Sequence, residues 1–88
     1  MELKIAARQC SDDSGRSHRF QYFLTVEETQ VQNLCLENYG VRIAEEGGED
    51  CTVSGVTTSA SRIDELITLL VDNLVGPAGL RDVVEDWL

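Results

Sequence analysis

The chain has little positive charge, one proline, one histidine and no long apolar run. Of its 88 residues, seven are Lys or Arg and 16 are Asp or Glu, which gives a formal net charge of −9. Nucleic acids and anionic membranes repel a surface of this charge, so we expect neither as a partner. The longest apolar runs are about three residues, far short of the ~20 that a membrane-spanning helix needs, and no signal-peptide core is expected either.

Reactive and metal-binding side chains are also scarce. The three cysteines, Cys10, Cys35 and Cys51, are odd in number and contain no C-x-x-C spacing, which is typical of a reducing cytosol and of cysteines used as small core residues. A single histidine, His18, gives no zinc site with them, and glycine-rich phosphate-binding motifs are absent. His18 is the last residue of the polar loop and is expected to be exposed. We therefore expect a cytoplasmic, non-enzymatic protein with no catalytic residue, cofactor or metal.

The length predicts one small domain over residues 1–88. Alternating polar and apolar residues predict a strand over residues 2–10, a polar loop over 11–18 and a second strand over 19–27, joined as an antiparallel hairpin. Phe23 falls on the outer face of the second strand, where it needs cover or a partner. The residues predicted to face the core are Leu3, Ile5, Ala7, Phe20, Tyr22, Leu24 and Val26.

Residues 28–38 fit either a helix or a strand. For a helix, Thr25 and Glu28 resemble a capping box and Gly40 a C-terminal cap. For a strand, a turn at 28–30 precedes alternating residues. We favour the strand, although the alternation changes phase and so requires a bulge near Asn38 or Gly40. The alternating residues are Leu34 and Leu36, then Tyr39, Val41 and Ile43.

The rest of the chain predicts one more strand and two helices. Residues 45–50 contain two adjacent glycines and predict a turn. Residues 51–57 predict a strand with Cys51 and Val53 inward and either a bulge or a close backbone approach at Gly55. Ser59 or Ser61 is expected to cap the first helix, with Asp64 and Glu65 in its first turn. A breaker, Gly76-Pro77-Ala78-Gly79, precedes the second helix. The two apolar stripes are Ile63, Leu66, Ile67, Leu70, Val71, Leu74 and Val75, then Leu80, Val83, Val84, Trp87 and Leu88.

These elements predict an α+β fold in which an antiparallel sheet of about four strands is covered on one face by a C-terminal helical hairpin. A DNA-binding helix-turn-helix could be drawn on residues 61–88, but the charge disfavours it. Residues 20–88 hold three basic and thirteen acidic side chains, whereas residues 1–19 hold four basic and three acidic ones.

The last twelve residues carry a resemblance to a known family. Pro77-x-x-Leu80-Arg81-Asp82-Val83-Val84-Glu85-Asp86-Trp87-Leu88 is similar to the closing motif of a family of small bacterial proteins of unknown function, mostly from clostridia and their relatives. Tyr39-Gly40-Val41-Arg42-Ile43 fits a strand of the same family. The resemblance covers roughly residues 20–88, and the family usually has Phe at position 87. It implies the strand at residues 33–46 but no activity, ligand or catalytic residue.

Two surfaces are candidates for function. Asp82, Glu85 and Asp86 share one side of the last helix, where they could dock a basic partner or bind a divalent metal, or could form a solvated face. Phe23, Leu69 and Trp87 could form an apolar patch that pairs two chains. We expect a protein-interaction or regulatory module that binds a partner protein or a second copy. The alternative is a small-ligand or divalent-metal-binding protein that uses the C-terminal acidic face.

Overall fold

The computed structural model describes residues 1–88 and has the predicted α+β architecture. Four strands form one antiparallel sheet in the order β1-β2-β3-β4, and two helices follow them. None of the helices is both long enough and apolar enough to cross a membrane. The elements are β1 (Glu2–Ser11), β2 (Ser17–Val31), β3 (Leu34–Glu45), β4 (Asp50–Thr57), α1 (Ala60–Asp72), a short 3₁₀ turn (Pro77–Gly79) and α2 (Leu80–Trp87).

The core lies between one face of the sheet and the two helices. Tyr22, Val41 and Ile43 alternate with exposed or half-buried residues on β2 and β3, as expected of strands with one buried face. Leu66 and Leu70 of α1 lie one turn apart and are fully buried against them. The buried cluster consists of Phe20, Tyr22, Val41, Ile43, Ile63, Leu66, Ile67, Leu70, Leu80 and Val84.

The predicted apolar stripes are confirmed in the middle of each helix, but their last residues lie outside the helices. Leu74 and Val75 follow the end of α1, because Leu74 adopts the left-handed conformation (φ 52°) that terminates the helix. The Tyr22 hydroxyl donates a 2.9 Å hydrogen bond to the Val75 carbonyl oxygen and ties this segment to the sheet. Leu88 is 72% exposed, since it lies past the last turn of α2.

Ser59 is the residue that caps α1. Its hydroxyl accepts a hydrogen bond from the Arg62 backbone N–H at 3.3 Å. Because the helix begins at Ala60, Asp64 and Glu65 lie beyond the first turn, and the prediction that they occupy it is wrong. Asp82 does lie in the first turn of α2, where the helix dipole favours a negative charge.

The facing prediction for β1 is wrong at Ile5 and Ala7, because the strand contains a bulge after Lys4. The register with β2 shifts between Lys4 and Ala6, so that Ile5 is an extra residue. As a consequence Ala6 rather than Ala7 packs against the core. Ile5 is 49% exposed, whereas Leu3 pairs with Leu24 on the helix-facing side of the sheet, as predicted, but is 45% exposed there.

Residues 28–38 are strand, as favoured, but the predicted turn at 28–30 is wrong. β2 continues to Val31 and a two-residue turn at Gln32 and Asn33 leads into β3. The pairing between β2 and β3 is continuous from Phe20 to the turn, so the bulge predicted near residues 38–40 is absent from this ladder. Without a bulge, the shift in the apolar alternation places Leu34 and Leu36 on the face of the sheet opposite the helices.

A bulge does occur next to Gly40, but β4 contains it. Tyr39 pairs with Thr57 and Val41 with Val53, so three residues of β4 lie opposite Gly40 alone. Gly55, at the centre of these three, has a φ of +64°, which confirms the irregularity predicted there.

Candidate interaction surface

The paired strands β2 and β3 extend well beyond their neighbours. β1 pairs with β2 only as far as Thr25, with Met1 bonded to Val26, and β4 ends its pairing with β3 at Tyr39. Residues 27–38 therefore form a two-stranded ribbon with no strand on either side, here called the arm. Its five residue pairs span roughly 17 Å at ~3.4 Å per residue. The radius of gyration is 14.0 Å, whereas a compact chain of this length would have about 12 Å.

The turn at the end of the arm fits the twist of its strands. Gln32 and Asn33 have positive φ values of 48° and 68°, which is the backbone of a type I′ turn. Asparagine tolerates this conformation better than most residues, and glutamine does so at some cost in strain. Asn33 was therefore the one local signal that could have placed the turn correctly from the sequence.

Apolar side chains cluster at the end of the arm. Val31 and Leu34 are the closing pair of the hairpin, and Leu36 follows on the same face two residues later. They are 48%, 64% and 43% exposed. No helix or further strand of the chain covers these three large apolar side chains, and exposed groups of this kind mark interaction sites more often than isolated exposed residues do.

The charge of the arm is entirely negative. Glu27, Glu28 and Glu37 are exposed, and no Lys or Arg occurs between residues 20 and 41. Glu28 lies directly opposite Glu37 in the strand pairing, an arrangement of like charges that destabilises a sheet. The Tyr39 hydroxyl donates a 2.9 Å hydrogen bond to Glu37. This hydrogen bond is the main cause of the raised pKa of Tyr39, and burial of the hydroxyl is the second.

The predicted acidic face of α2 is exposed. Asp82, Glu85 and Asp86 all face solvent and make no ion pair with a side chain of this chain. Nowhere in the structure do three or more His, Cys, Asp or Glu side chains converge closely enough to hold a metal ion. The three carboxylates therefore present an exposed negative surface on α2.

The structure does not bring the three residues of the predicted oligomer patch to one surface. Phe23 lies on the sheet face opposite the helices, where the Arg42 guanidinium covers its ring at 4.1 Å. Trp87 belongs to α2 and its ring lies 4.2 Å beneath the Arg62 guanidinium. Leu69 is on α1 and is 40% exposed. Arginine thus supplies the cover that Phe23 requires, by a cation–π contact within the chain.

Arg42 is held in place over Phe23 by two carboxylates. Its guanidinium donates two hydrogen bonds to Glu2, at 2.9 and 2.8 Å, and one to Asp50 at 2.9 Å. The hydrogen bonds to Glu2 are the main reason that the pKa of Arg42 is raised and that of Glu2 lowered. The three side chains connect β1, β3 and β4 across the outer face of the sheet.

His18 is not the exposed loop residue that the sequence predicts. It is the second residue of β2, and its Nε2 and Nδ1 atoms each lie 2.9 Å from a carboxylate oxygen, of Asp12 and of Glu45 respectively. These hydrogen bonds, first to Asp12 and then to Glu45, raise the pKa of His18, while the bond to His18 lowers that of Asp12. Cys10 lies opposite His18 in the strand pairing, but both ring nitrogens are already engaged by carboxylates.

No local pattern in the sequence indicates that His18 pairs with Asp12 and Glu45. Asp12 is close to His18 in the chain, and its Oδ1 atom also accepts hydrogen bonds from the backbone N–H groups of Ser14 and Arg16, which closes the loop between β1 and β2. Glu45 lies 27 residues from His18. Only the pairing of β2 with β3 brings it near, since Phe20 lies opposite Glu45.

Comparison with known proteins gives a family but no activity. No curated protein and no solved structure matches the chain. A family model described as a family of unknown function, DUF6514, matches residues 1–88, including the first 19 residues that the resemblance noted above did not cover. The chain therefore belongs to the family of unknown function DUF6514.

Proposed function

We propose that this protein is a non-enzymatic, cytoplasmic protein-interaction module of a bacterial family, and that it binds its partner through the arm. The observation that carries the proposal is the exposure of Val31, Leu34 and Leu36 on a ribbon that no other element of the chain covers. A two-stranded ribbon is at best marginally stable by itself. Extending such a ribbon adds nothing to the core of a chain of this size. Contact with another protein is therefore the role that best explains the arm.

The electrostatics support a protein partner over a nucleic acid. The chain carries a net charge of −9 and the arm contains only acidic charges. A basic partner would be attracted at long range and oriented before contact, which raises association rates more than affinity. The exposed leucines would then supply contact area that is removed from water on binding.

The test compares two leucines of similar exposure. Leu36 on the arm and Leu69 on α1 are 43% and 40% exposed. Wild-type protein, Leu36→Ser and Leu69→Ser are immobilised and incubated with a lysate of the source cell, and the bound proteins are compared by quantitative mass spectrometry. The expected result is a set of proteins that wild type and Leu69→Ser retain and that Leu36→Ser loses. Equal retention by all three proteins would show that the arm is not the binding surface.

A further inference from the structure

The edge of β2 within the arm has unpaired backbone groups. At the base of the arm Val26 exchanges two hydrogen bonds with Met1, its N–H donating at 2.8 Å and its C=O accepting from the Met1 amine at 2.9 Å. In an antiparallel sheet, backbone groups of alternate residues point to alternate sides. The N–H and C=O groups of Glu28 and Gln30 therefore point to the same side as those of Val26, where β1 has ended.

The other edges of the sheet are less suited to receiving a strand. The free edge of β1 is interrupted by the bulge at Ile5, and that of β4 by the bulge around Gly55. Bulges of this kind protect sheet edges from pairing with other chains. The pairing of β2 and β3 is free of bulges, so both edges of the arm are regular.

A cleft distinguishes the β2 edge of the arm from its β3 edge. Where β1 ends, an open cleft of about 600 Å³ is lined by Met1, Val26, Glu27, Glu28 and Glu37. It lies beside the unpaired backbone of Glu28. A strand added along β2 would pass this cleft, whereas a strand added along β3 would lie on the far side of the arm.

The charges of this region select the chemistry of the added strand. Glu28 and Glu37 face each other across the arm, and no cation of the chain neutralises either of them. A Lys or Arg side chain on the neighbouring position of an added strand would relieve this repulsion, because side chains of adjacent strands on the same face are in contact. The next residue of the added strand would lie on the opposite face, near Val31, and an apolar side chain fits there.

We propose that the partner contributes an extended segment of alternating basic and apolar residues, which pairs with the β2 edge at Glu28 and Gln30. This inference rests on the proposed function of the arm and specifies how the partner binds. A second copy of this chain does not fit the same edge. The arm of the second copy is equally acidic. Pairing either regular edge of that arm with the β2 edge would place glutamates of the two copies side by side.

The probe is a synthetic peptide, acetyl-Lys-Val-Lys-Val-Lys-Val-amide, added to the ¹⁵N-labelled 88-residue protein. The expected result is amide hydrogen-exchange protection that increases by about tenfold or more at Glu28 and Gln30, since new hydrogen bonds form there. Binding should weaken as salt is added. The same peptide with Glu in place of Lys should produce no protection, and Glu28→Gln should weaken binding severalfold.

Proline substitutions identify the edge. Gln30→Pro removes a backbone N–H that points away from β3, so the arm keeps its own ladder while the added strand loses a partner. Cys35→Pro is the matched control, because by the same alternation the Cys35 N–H points to the β3 edge. Binding of the peptide should fall about tenfold in Gln30→Pro and remain unchanged in Cys35→Pro. Circular-dichroism melts verify that both variants are folded, and Glu28→Gln provides a second test that does not alter the backbone.

Several outcomes would overturn the inference. These are absence of peptide binding, protection at Cys35 and Glu37 instead of Glu28 and Gln30, or protection without peptide that grows with protein concentration and so indicates a second copy. The lysate experiment separates this inference from the proposed function. If Leu36→Ser loses the retained proteins but Gln30→Pro keeps them, the arm binds a partner by another route and only the inference fails. If neither substitution changes retention, both fail.

Discussion

Gly40 lies where β3 passes the bulge of β4, and replacing it with alanine is expected to destabilise the fold. A Cβ atom at this position would lie 2.7 Å from the Thr25 Oγ1 atom and 2.9 Å from the Ser54 Cα atom, and closer still to the Val53 carbonyl oxygen. Two of these three atoms belong to the backbone of β4 and cannot rotate away. The strands must therefore separate to admit a single methyl group.

The magnitude follows from two opposing effects. Forcing extra volume into a packed site costs typically ~1–3 kcal/mol, and rigid backbone neighbours place Gly40→Ala in the upper part of that range. Alanine restricts the unfolded chain more than glycine does, which offsets about 0.4–1 kcal/mol. The expected net loss is about 1–2 kcal/mol, or a fall in melting temperature of roughly 5–15 °C for a domain of this size.

Thermal unfolding followed by circular dichroism measures this effect, with Gly79→Ala as the matched control. A Cβ atom at Gly79 would meet only the Val75 Cγ1 atom, at an ordinary contact distance of 3.7 Å, so its expected loss is below about 0.5 kcal/mol. Thr25→Ala combined with Gly40→Ala should recover part of the loss but not all of it, because the backbone contacts remain. A Gly40→Ala protein that melts within about 2 °C of wild type would refute the reasoning.

Three further perturbations test the rest of the structure. Because the pKa of His18 is raised above 6.5, its contribution to stability is complete below that pH and is lost as the pH rises through the folded-state pKa. The melting-temperature difference between wild type and His18→Gln should therefore be larger at about pH 5.5 than at about pH 9, and an equal difference would contradict the assignment. Arg42→Ala should lower stability by about 1–2 kcal/mol in denaturant titrations and uncover Phe23, and an increase in mass by light scattering would show that the ring then pairs chains. Leu66→Ala should cost about 2–5 kcal/mol, since Leu66 is fully buried, whereas Leu69→Ala should cost less than about 1 kcal/mol, and similar losses for both would contradict the packing of α1.

Local patterns in the sequence were enough to predict the class of fold and most of its elements. Alternation identified β1, β2 and β4, the helical spacing of Leu66 and Leu70 identified the buried side of α1, and the glycine-proline breaker separated the helices. Each of these signals depends on residues within one or two turns or a few strand positions, which is why a single sequence reveals them. The acidic composition likewise predicted the negative charge of the arm and of the exposed side of α2.

The features on which the proposed function rests depended on tertiary structure. The register between β2 and β3 places Leu34 and Leu36 on the face opposite the helices, and the early ends of β1 and β4 leave the arm without neighbouring strands. Glu45 meets His18 only because β3 returns alongside β2. The sequence by itself thus determined which segments are strands and helices, since local periodicity specifies them. Strand register and strand length determined the exposed arm, its unpaired edge and its opposed glutamates, because these arise only when distant segments pair.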